Sequence, residues 1–455
     1  MKDQGLHEQV ELIREVFYYT QRYAGAVFVI KIDSLIVQSP LFPLLVKDIS
    51  ILHKAGIKII LVPGAKERID EVLSQYKVKT ENAGRDRIST KESIPFIKMA
   101  AFDISNTVMT HLAGNNVNGV IGNWVRARAK GVIDGTDYQS TGVIERVQTE
   151  DIFKVLNDGI IPIFPCIGWS SLGKPYNISS DELAFSLSTS IKADKLFFIR
   201  SIQTGIPKKA TESISNIIFR DDKVSRMPVD SAEKVLSCIE DDADRHLLYI
   251  ASRACRLGVE RVHILNGHIS GILLKEIFSN VGSGLLIHAN PYESIRSMRP
   301  GDIPDVLSLM NPLVEKGVLI ERDQEFFTEN FQDFAVYEVD GAIHACASLH
   351  KYTEKQAEIA GLAVDQMFKH LGIGARMVTY LLEQAAARKI EEVFVLTTQT
   401  IDWFLSMGFK EADIEEIPQE KQQNYNTDRS SRVLVFRLKS TPLPQSVTWE
   451  SALDA

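Results

Sequence analysis

Hydrophobic positions in the first two thirds of the chain alternate between short apolar runs and stretches with a three-to-four-residue repeat. The runs predict buried strands and the repeats predict helices. Strands that alternate with helices predict an α/β domain, doubly wound around a mostly parallel sheet. The predicted strands are Val27–Ile32, Ile57–Val62, Ile160–Phe164, Leu196–Ile199, Arg261–Leu265 and Leu285–Ile287, and the predicted helices are Leu44–Lys54, Pro95–Leu112, Asp181–Ile191 and Ser231–Cys255.

The pattern changes at three places. An amphipathic helix at His7–Arg22 carries an aromatic cluster that must pack on its own domain or on a neighbouring subunit. Gly/Asp-rich turns over Gly119–Val147 predict a β-hairpin excursion, and prolines and polar residues at His288–Pro300 indicate a domain boundary. We expect a leading helix over residues 1–25, a first domain over 26–289, a linker over 290–294, a second domain over 295–438 and a tail over 439–455.

The second domain contains a glycine-rich turn between a strand and a helix. The turn is Gly372-Ile373-Gly374, after an apolar run that ends at Val364 and before a helix with Met377 on its apolar face. Such a turn directs backbone N–H groups at one spot beside the positive end of the helix, which suits a phosphate or pyrophosphate. The alternative is close strand–helix packing, for which glycine is also suited. A dinucleotide fingerprint would require a third glycine where Met377 stands.

Composition narrows the functional classes. The chain has 455 residues, 45% hydrophobic and 24% charged, which is typical of a globular protein of two or three domains. A net charge of -8 argues against general nucleic-acid binding. Its four cysteines lack metal-site or disulfide spacing, so we expect no metal and a cytoplasmic location. No apolar run approaches the ~20 residues of a membrane span, so no membrane partner is expected.

The glycine-rich turn resembles the acetyl-CoA loop of the GNAT acetyltransferases, Arg/Gln-x-x-Gly-x-Gly/Ala, with Lys369 at its first position. The resemblance implies an α+β fold for the second domain, and acetyl-CoA, rather than NAD, as cosubstrate. It implies that backbone amides of the turn hold the pyrophosphate, with charge from Lys369 or Arg376. The implied acetyl-CoA-binding residues are Gly361, Leu362, Val364, Lys369, Leu371, Gly372, Ile373, Gly374, Ala375 and Arg376.

Acetyl transfer to an amine needs a held thioester, a base for the ammonium and stabilisation of the oxyanion. Glu358 begins the strand that leads into the turn, and we predict that it is the base, directly or through one water; the alternative is an exposed strand-end glutamate. Gly361 offers only backbone, which suits a bulged strand that donates an N–H to the thioester oxygen. Many GNAT enzymes protonate the thiolate with a tyrosine where this chain has Phe404. The proton source therefore stays open between Thr397 or Thr398, through water, and solvent.

The whole of Ile295–Leu438 resembles the bacterial two-domain N-acetylglutamate synthases, which implies L-glutamate as acetyl acceptor and a role in arginine biosynthesis. The two carboxylates of glutamate are expected to meet arginines. In a strand, the side chains of Arg429 and Ser431 face the same way, and the two residues match the family's carboxylate-binding pair. Arg322 is the expected second arginine, but the adjacent Glu321 leaves open which residue faces the substrate. The matching phrases are Pro312–Leu319, Phe394–Thr398, Trp403-Phe404, Gly408-Phe409 and Tyr425-Asn426-x-x-Arg429-x-Ser431.

Val27–Asp70 resembles the opening of the amino-acid kinases, and of N-acetylglutamate kinase in particular. That family requires Lys-x-Gly-Gly and His-Gly-Gly-Gly turns to cradle a phosphoryl group. This chain has Lys31-Ile32-Asp33-Ser34 and Val62-Pro63-Gly64-Ala65. Asp33 would repel phosphate, and Pro63 removes a backbone amide. We therefore expect a kinase-like domain that does not transfer phosphate.

In the arginine-inhibited kinases the leading helix and the last helix–strand unit form an arginine site, and Tyr19, His263, Glu276 and Gly282 match it. A carboxylate suits a guanidinium. The alternatives are packing for Tyr19, a core histidine for His263 and a solvated helix face for Glu276. The resemblance implies L-arginine as effector and a homo-oligomer, since the kinase helix joins subunits into a hexamer. Rival functions are a non-catalytic arginine sensor, an acetyltransferase for another amine and a true kinase.

Overall fold

The structure, a computed structural model, describes residues 23–201, 205–278, 283–289, 293–339, 341–365, 372–425 and 431–444. The predicted helix His7–Arg22 lies outside them. The chain divides into two units, Met1–Asn290 and Pro291–Ala455, called here the first and second unit. Within the described ranges, no helix has the length and apolar character that crossing a membrane requires.

The first unit alternates strands and helices. Its strands are β1 Val27–Ile32, β2 Lys58–Pro63, β3 Glu81–Ala83, β4 Asp86–Ile88, β5 Gly119–Ile121, β6 Val125–Ala129, β7 Val132–Ile133, β8 Thr136–Asp137, β9 Gly142–Val147, β10 Ile161–Ile163, β11 Ile167–Trp169, β12 Pro175–Asn177, β13 Lys195–Arg200, β14 Ile218–Arg220, β15 Lys223–Pro228, β16 Arg261–Asn266 and β17 Leu285–His288. Its helices are α1 Ser34–Val37, α2 Phe42–Lys54, α3 Lys66–Gln75, α4 Ile94–Gly114, α5 Thr149–Asn157, α6 Ser180–Ile191, α7 Val229–Val235, α8 Asp242–Arg256 and α9 Ile272–Phe278.

The main sheet of the first unit has nine strands in the order β14-β15-β17-β16-β13-β1-β2-β10-β5. All neighbours are parallel except β14 with β15 and β16 with β17. Successive residues of β1 enter different cores, with Val29 in one cluster and Phe28 and Ile30 in the other, because neighbouring side chains point to opposite faces of a strand. Helices therefore cover both faces, and the predicted α/β doubly wound architecture is confirmed.

Two details of the first unit differ from the sequence prediction. The predicted helix Ser231–Cys255 is wrong as a single element, since α7 ends at Val235 and α8 begins at Asp242. The Asp241 carboxylate accepts a hydrogen bond of 2.7 Å from the Asp244 amide, and this cap starts a new helix. The predicted hairpin excursion begins at β6, because β5 belongs to the main sheet; β6 and β9 join β11 and β12 in a second sheet.

The second unit is built on one sheet. Its strands are β18 Glu293–Ser297, β19 Phe334–Val339, β20 Ala342–Lys351, β21 Gln356–Val364, β22 Glu392–Thr397, β23 Lys410–Ala412 and β24 Arg432–Arg437. Its helices are α10 Ile303–Glu315, α11 Gln324–Asn330, α12 Ile373–Ala387, α13 Ile401–Ser406 and α14 Gln419–Gln423.

The sheet order is β18-β19-β20-β21-β22-β24-β23, and β21 with β22 is its one parallel pair among the described strands. These two strands pair over three residues each, from Gln356 opposite Glu392 to Glu358 opposite Phe394. Beyond Glu358 the described register contains no further pairing between them. Helix α12 packs its Met377, Leu381 and Leu382 into the core under β19–β21. The α+β layout matches the prediction.

Candidate active site

A cavity of about 630 Å³ lies where β21 and β22 separate. One wall is Ile359–Leu362 of β21, and the opposite wall is Val395–Thr397 of β22. The start of α12 and the segment around Arg322 complete it. An open strand edge offers backbone N–H and C=O groups that a ligand can pair with. The separation of the two strands therefore creates a binding cleft out of regular sheet.

Gly361 lies at a β-bulge in this wall. The β20–β21 register jumps between Cys346 opposite Ala363 and Ser348 opposite Ala360, and Gly361 has a φ of 63°. A Cβ at Gly361 would lie 3.0 Å from Nη1 of Arg322. Both the left-handed backbone and the close contact require glycine here. The bulge predicted at Gly361 is thus present in the strand.

The glycine-rich turn contributes the start of α12 to the cleft. Gly372 is the residue that precedes the helix, with a φ of 67°, and Gly374 and Ala375 line the cavity. Amides in the first turn of a helix have no partner inside the helix and can bind an anion. A Cβ at Gly374 would lie 3.4 Å from the Trp403 ring, so this approach is already close.

The other residues predicted to bind acetyl-CoA fall into four groups. Leu362 and Val364 line the cleft with Gly361, whereas Ile373 is buried in the core. Arg376 lies outside the cavity lining, because its Nη1 contacts the Tyr337 hydroxyl at 3.3 Å and the Glu293 carboxylate at 3.5 Å. Lys369 and Leu371 lie outside the described residues.

Glu358 stands at the point where the two strands part, and it lines the cleft with a side chain only 6% exposed. Its Oε2 lies 2.8 Å from Nζ of Lys421 and accepts a hydrogen bond of 3.1 Å from the Tyr352 hydroxyl. Burial, followed by the negative charge of Glu358, raises the pKa of Tyr352. A buried carboxylate with two donors is a positioned group, unlike the exposed strand-end residue considered as the alternative.

Arg322 supplies the cationic side of the cleft. Its guanidinium carbon lies 4.8 Å from the Phe326 ring centre and 5.6 Å from that of Phe334. Its buried Nη1 has no hydrogen-bond partner among the described residues. Burial lowers its pKa, against the attraction of the Glu358 carboxylate. A buried donor that is left unpaired in a cavity is a candidate contact for an anionic substrate.

Ser431 also lines the cleft, and Arg429 lies outside the described residues. Among the cleft hydroxyls, Tyr425 donates a hydrogen bond to the Ser431 carbonyl, and Thr397 accepts one of 3.2 Å from the Thr400 amide. Phe404 reaches the cleft as an apolar, buried side chain.

Sequence reasoning assigned no role to Lys421, Tyr352 or Tyr425. Lys421 and Tyr352 lie in polar segments with no motif, whereas Tyr425 belongs to a phrase that carried the family resemblance. That phrase was the one available signal.

In the first unit the structure brings His263 and Glu276 together. Nδ1 of His263 lies 2.8 Å from Oε1 of Glu276, and the Ser283 amide donates a hydrogen bond of 2.6 Å to Oε2. His263 stacks on Phe197 with ring centres 4.7 Å apart. Burial would raise the pKa of Glu276, but the hydrogen bond and charge of His263 hold it below its ordinary value. Glu276 is therefore not on a solvated helix face. Tyr19 and Gly282 lie outside the described residues.

The end of β1, where a kinase would hold phosphate, contains an ion cluster. Nζ of the buried Lys31 pairs with Asp33 and lies 2.8 Å from Asp181. Burial would lower the pKa of Lys31, but the two carboxylates raise it well above its ordinary value. Asp33 also accepts a hydrogen bond of 3.0 Å from the Ser201 amide. The lysine charge is thus neutralised from within the protein.

Comparison with known proteins finds a family model that matches each unit. The model of the amino acid kinase family matches residues 26–266, and that of the acetyltransferase (GNAT) family matches residues 303–409. The amino-acid acetyltransferase of Pasteurella multocida is 33% identical over 95% of this chain and 98% of its own length, and that of Pectobacterium carotovorum is 32% identical over 95% and 99%.

A solved structure is also similar over nearly the whole chain. The crystal structure of N-acetylglutamate synthase from Neisseria gonorrhoeae, complexed with coenzyme A and L-arginine, superposes with a TM-score of 0.76 at 29% identity, covering 94% of this chain and 99% of that one. The same enzyme complexed with coenzyme A and N-acetyl-glutamate gives 0.57 at 30% identity. The paired kinase-like and GNAT units and these full-length relatives establish that the chain belongs to the amino-acid acetyltransferase family.

Proposed function

We propose that the second unit transfers the acetyl group of acetyl-CoA to the amine of L-glutamate, giving N-acetyl-L-glutamate and CoA, the first step of arginine biosynthesis. One observation carries the proposal: a single cleft brings together the buried Glu358 carboxylate, the Nη1 of Arg322, which has no partner among the described residues, and the glycine-rich start of α12. These are a base, a carboxylate contact and a pyrophosphate contact. The Neisseria relatives, which bind coenzyme A and N-acetyl-glutamate, support the same assignment.

The cleft residues fit acetyl-CoA. The β21 edge from Ile359 to Val364 has no described pairing with β22, so its backbone is open to an extended pantetheine chain. Gly372, Gly374 and Ala375 present first-turn amides to a pyrophosphate. When bound, the thioester supplies the acetyl group. Lys369 and Leu371 belong to the same proposal, as does Arg376 if its contacts to Tyr337 and Glu293 are exchanged for phosphate.

Each residue of the cleft would carry out one part of the reaction. Glu358 accepts a proton from the substrate ammonium, and the freed nitrogen then attacks the thioester carbonyl carbon. A C–N bond forms, the attacking nitrogen loses a second N–H proton, the C–S bond breaks, and the leaving thiolate takes up a proton. Backbone N–H groups at the Gly361 bulge stabilise the oxyanion. Thr397, Thr398 and Tyr425, three of the hydroxyl residues that line the cleft, are the proposed sources of the proton for the thiolate.

Glutamate selection follows from the cations. Arg322 would bind one substrate carboxylate, and Arg429 with Ser431 would bind the other. An amine without two carboxylates would leave the buried Arg322 guanidinium unpaired, which disfavours it. A drug or a protein lysine is therefore a poor acceptor.

The first unit would regulate this reaction by binding L-arginine. His263 and Glu276 are buried side by side, and Tyr19 and Gly282 complete the proposed site. The Neisseria relative with bound L-arginine supports this assignment. The internal pairing of Lys31 with Asp33 and Asp181 argues against kinase activity. A cytoplasmic homo-oligomer, a hexamer as in the related kinases, is part of the same proposal.

A thiol-release assay tests the function. Purified protein is given acetyl-CoA with each common amino acid, with and without L-arginine. We expect release with glutamate alone, a change in rate with arginine, and a loss of about 10²- to 10⁴-fold in kcat for Glu358→Gln, the contribution of a general base. Glu354→Gln, an exposed glutamate paired with Lys351, is the matched control. Equal release with many amines, or none with glutamate, contradicts the proposal.

A further inference from the structure

Two donors converge on one oxygen of the Glu358 carboxylate. Nζ of Lys421 is 2.8 Å from Oε2, and the Tyr352 hydroxyl is 3.1 Å from the same atom. Among the described residues, these two contacts are the only polar contacts made by this carboxylate, and neither involves Oε1. Lys421 lines the cleft with a side chain 21% exposed, whereas Tyr352 approaches from the β20–β21 hairpin.

Lys421 is held in place by the sheet. The segment before α14 is anchored by Ile417, which packs in a small core with Phe394 and Val433. The Gln356 side chain donates a hydrogen bond of 2.9 Å to the Glu416 carbonyl, and the Gln422 side chain donates one of 2.7 Å to the Ile417 carbonyl. These contacts tie α14 to the first residue of β21, two positions before Glu358. The ion pair therefore joins two elements that packing and hydrogen bonds connect, and its two side chains are only 21% and 6% exposed.

Tyr352 is fixed from the other side. Its ring lies 5.7 Å from that of Phe394, the residue opposite Glu358 in β22, and Nζ of Lys421 lies 5.8 Å from its ring centre. A carboxylate whose one oxygen has two fixed donors cannot rotate freely about its C–C bond. Its second oxygen then has a defined direction, which proton transfer requires.

We propose that Lys421 is a positioning residue: with Tyr352 it fixes Oε2 of Glu358, so that Oε1 alone receives the proton of the substrate ammonium. The inference rests on the proposed acetyl transfer and on Glu358 as its base. In this step an N–H bond of the ammonium breaks, an O–H bond forms at Oε1, and the nitrogen keeps the electron pair with which it attacks. Lys421 keeps all its protons throughout.

The test compares steady-state kinetics of the full-length wild type, Lys421→Met and Lys421→Arg with both substrates. For Lys421→Met we expect kcat to fall about 10- to 100-fold, the loss for removing a hydrogen bond to a charged group, with the KM for acetyl-CoA within about twofold of wild type. Lys421→Arg recovers part of kcat because it restores charge and donor. Lys355→Met, an exposed lysine that pairs with Glu391 at 3.4 Å, is the matched control and leaves kcat unchanged.

A double-mutant cycle with Tyr352→Phe adds a readout that loss of packing alone would not give. Both residues act on one oxygen, so the combined loss in kcat differs from the product of the single losses. If Lys421→Met no longer binds CoA, Lys421→Cys alkylated with 2-bromoethylamine replaces it in the test, because alkylation rebuilds a lysine-like ammonium. Wild type treated with the same reagent is the control. If alkylation restores kcat, the proposal is supported. If it restores CoA binding but not kcat, or restores neither, the proposal is overturned.

The outcomes separate this inference from the function. Wild type that releases no thiol with glutamate overturns the proposed function itself. An active wild type with an inactive Glu358→Gln but a Lys421→Met of normal kcat overturns only the role of Lys421. A Lys421→Met that raises the KM for glutamate with kcat unchanged also overturns it, because Lys421 would then bind substrate instead of the base.

Discussion

Nη1 of Arg322 lies 3.0 Å from the point where a Cβ would stand on Gly361. A strand glycine and a cation from a distant segment therefore share one small volume of the cleft. The absence of a side chain at Gly361 gives the guanidinium its place against Phe326 and Phe334. The bulge in β21 and the proposed carboxylate contact of Arg322 therefore form one structural unit.

Gly361→Ala should impair both stability and glutamate use. Alanine at a φ of 63° costs about 1–2 kcal/mol of folding free energy, and its methyl group displaces Arg322. We expect a lower free energy of unfolding in urea and a fall of about tenfold in kcat/KM for glutamate. Gly173→Ala, with a φ of 77° and open space around it, should show the stability loss alone. An unchanged kcat/KM in Gly361→Ala would contradict the coupling.

Arg322→Met should raise the KM for glutamate about 10- to 100-fold, because a charge-assisted hydrogen bond to a carboxylate is lost. The KM for acetyl-CoA should stay within about twofold, which initial-rate measurements with each substrate varied will show. Arg388→Met, at an exposed arginine after the end of α12, is the control. An equal rise in the KM for both substrates would place Arg322 outside the glutamate contact.

The Glu276–His263 pair makes the stability of the first unit depend on pH. Because the pKa of Glu276 in the folded protein is below the ordinary value of 4.5, the unfolded chain binds more protons between those two values. The stabilisation that Glu276 contributes is fully present above pH 4.5 and is lost as the pH falls through the pKa of Glu276 in the folded protein. We expect Glu276→Gln to flatten the low-pH part of a plot of Tm against pH and to abolish the shift in Tm caused by L-arginine. A parallel loss of Tm at every pH would contradict the prediction.

Lys31→Met should destabilise the first unit by about 3–5 kcal/mol, because Asp33 and Asp181 would both lose the buried cation with which they pair. Urea unfolding measures the change. Lys154→Met removes an exposed pair with Asp151 and should have little effect. Mg-ATP should not raise the Tm of the wild type. A rise in Tm would show that Lys31 is available to phosphate and would favour kinase activity.

The sequence predicts those parts that depend on local pattern. β1 has the predicted limits, because a buried parallel strand is a continuous apolar run, and the glycine-rich turn precedes a helix as predicted. The pattern predicts that Glu358 begins its strand, but β21 begins two residues earlier, at Gln356. Lys421 and Tyr352 meet Glu358 through the tertiary fold, so no spacing indicates them. The break between α7 and α8 depends on one capping aspartate within a pattern that otherwise resembles a continuous helix. The contacts of Arg376 with β18 and β19 depend on the pairing of those strands, which the local sequence does not indicate.

Glu358 is the last residue of the short ladder between β21 and β22, so strand pairing and chemistry are set at one position. A slip of one residue in that ladder would turn the carboxylate to the opposite face of the sheet, although almost every backbone bond could re-form. A single deletion in the hairpin between β20 and β21 could therefore yield a folded protein that lacks the proposed base in its cleft. We therefore expect the activity to tolerate length changes in this hairpin less well than the exposed position of the loop suggests, and variation in the loop should be restricted to substitutions that keep its length.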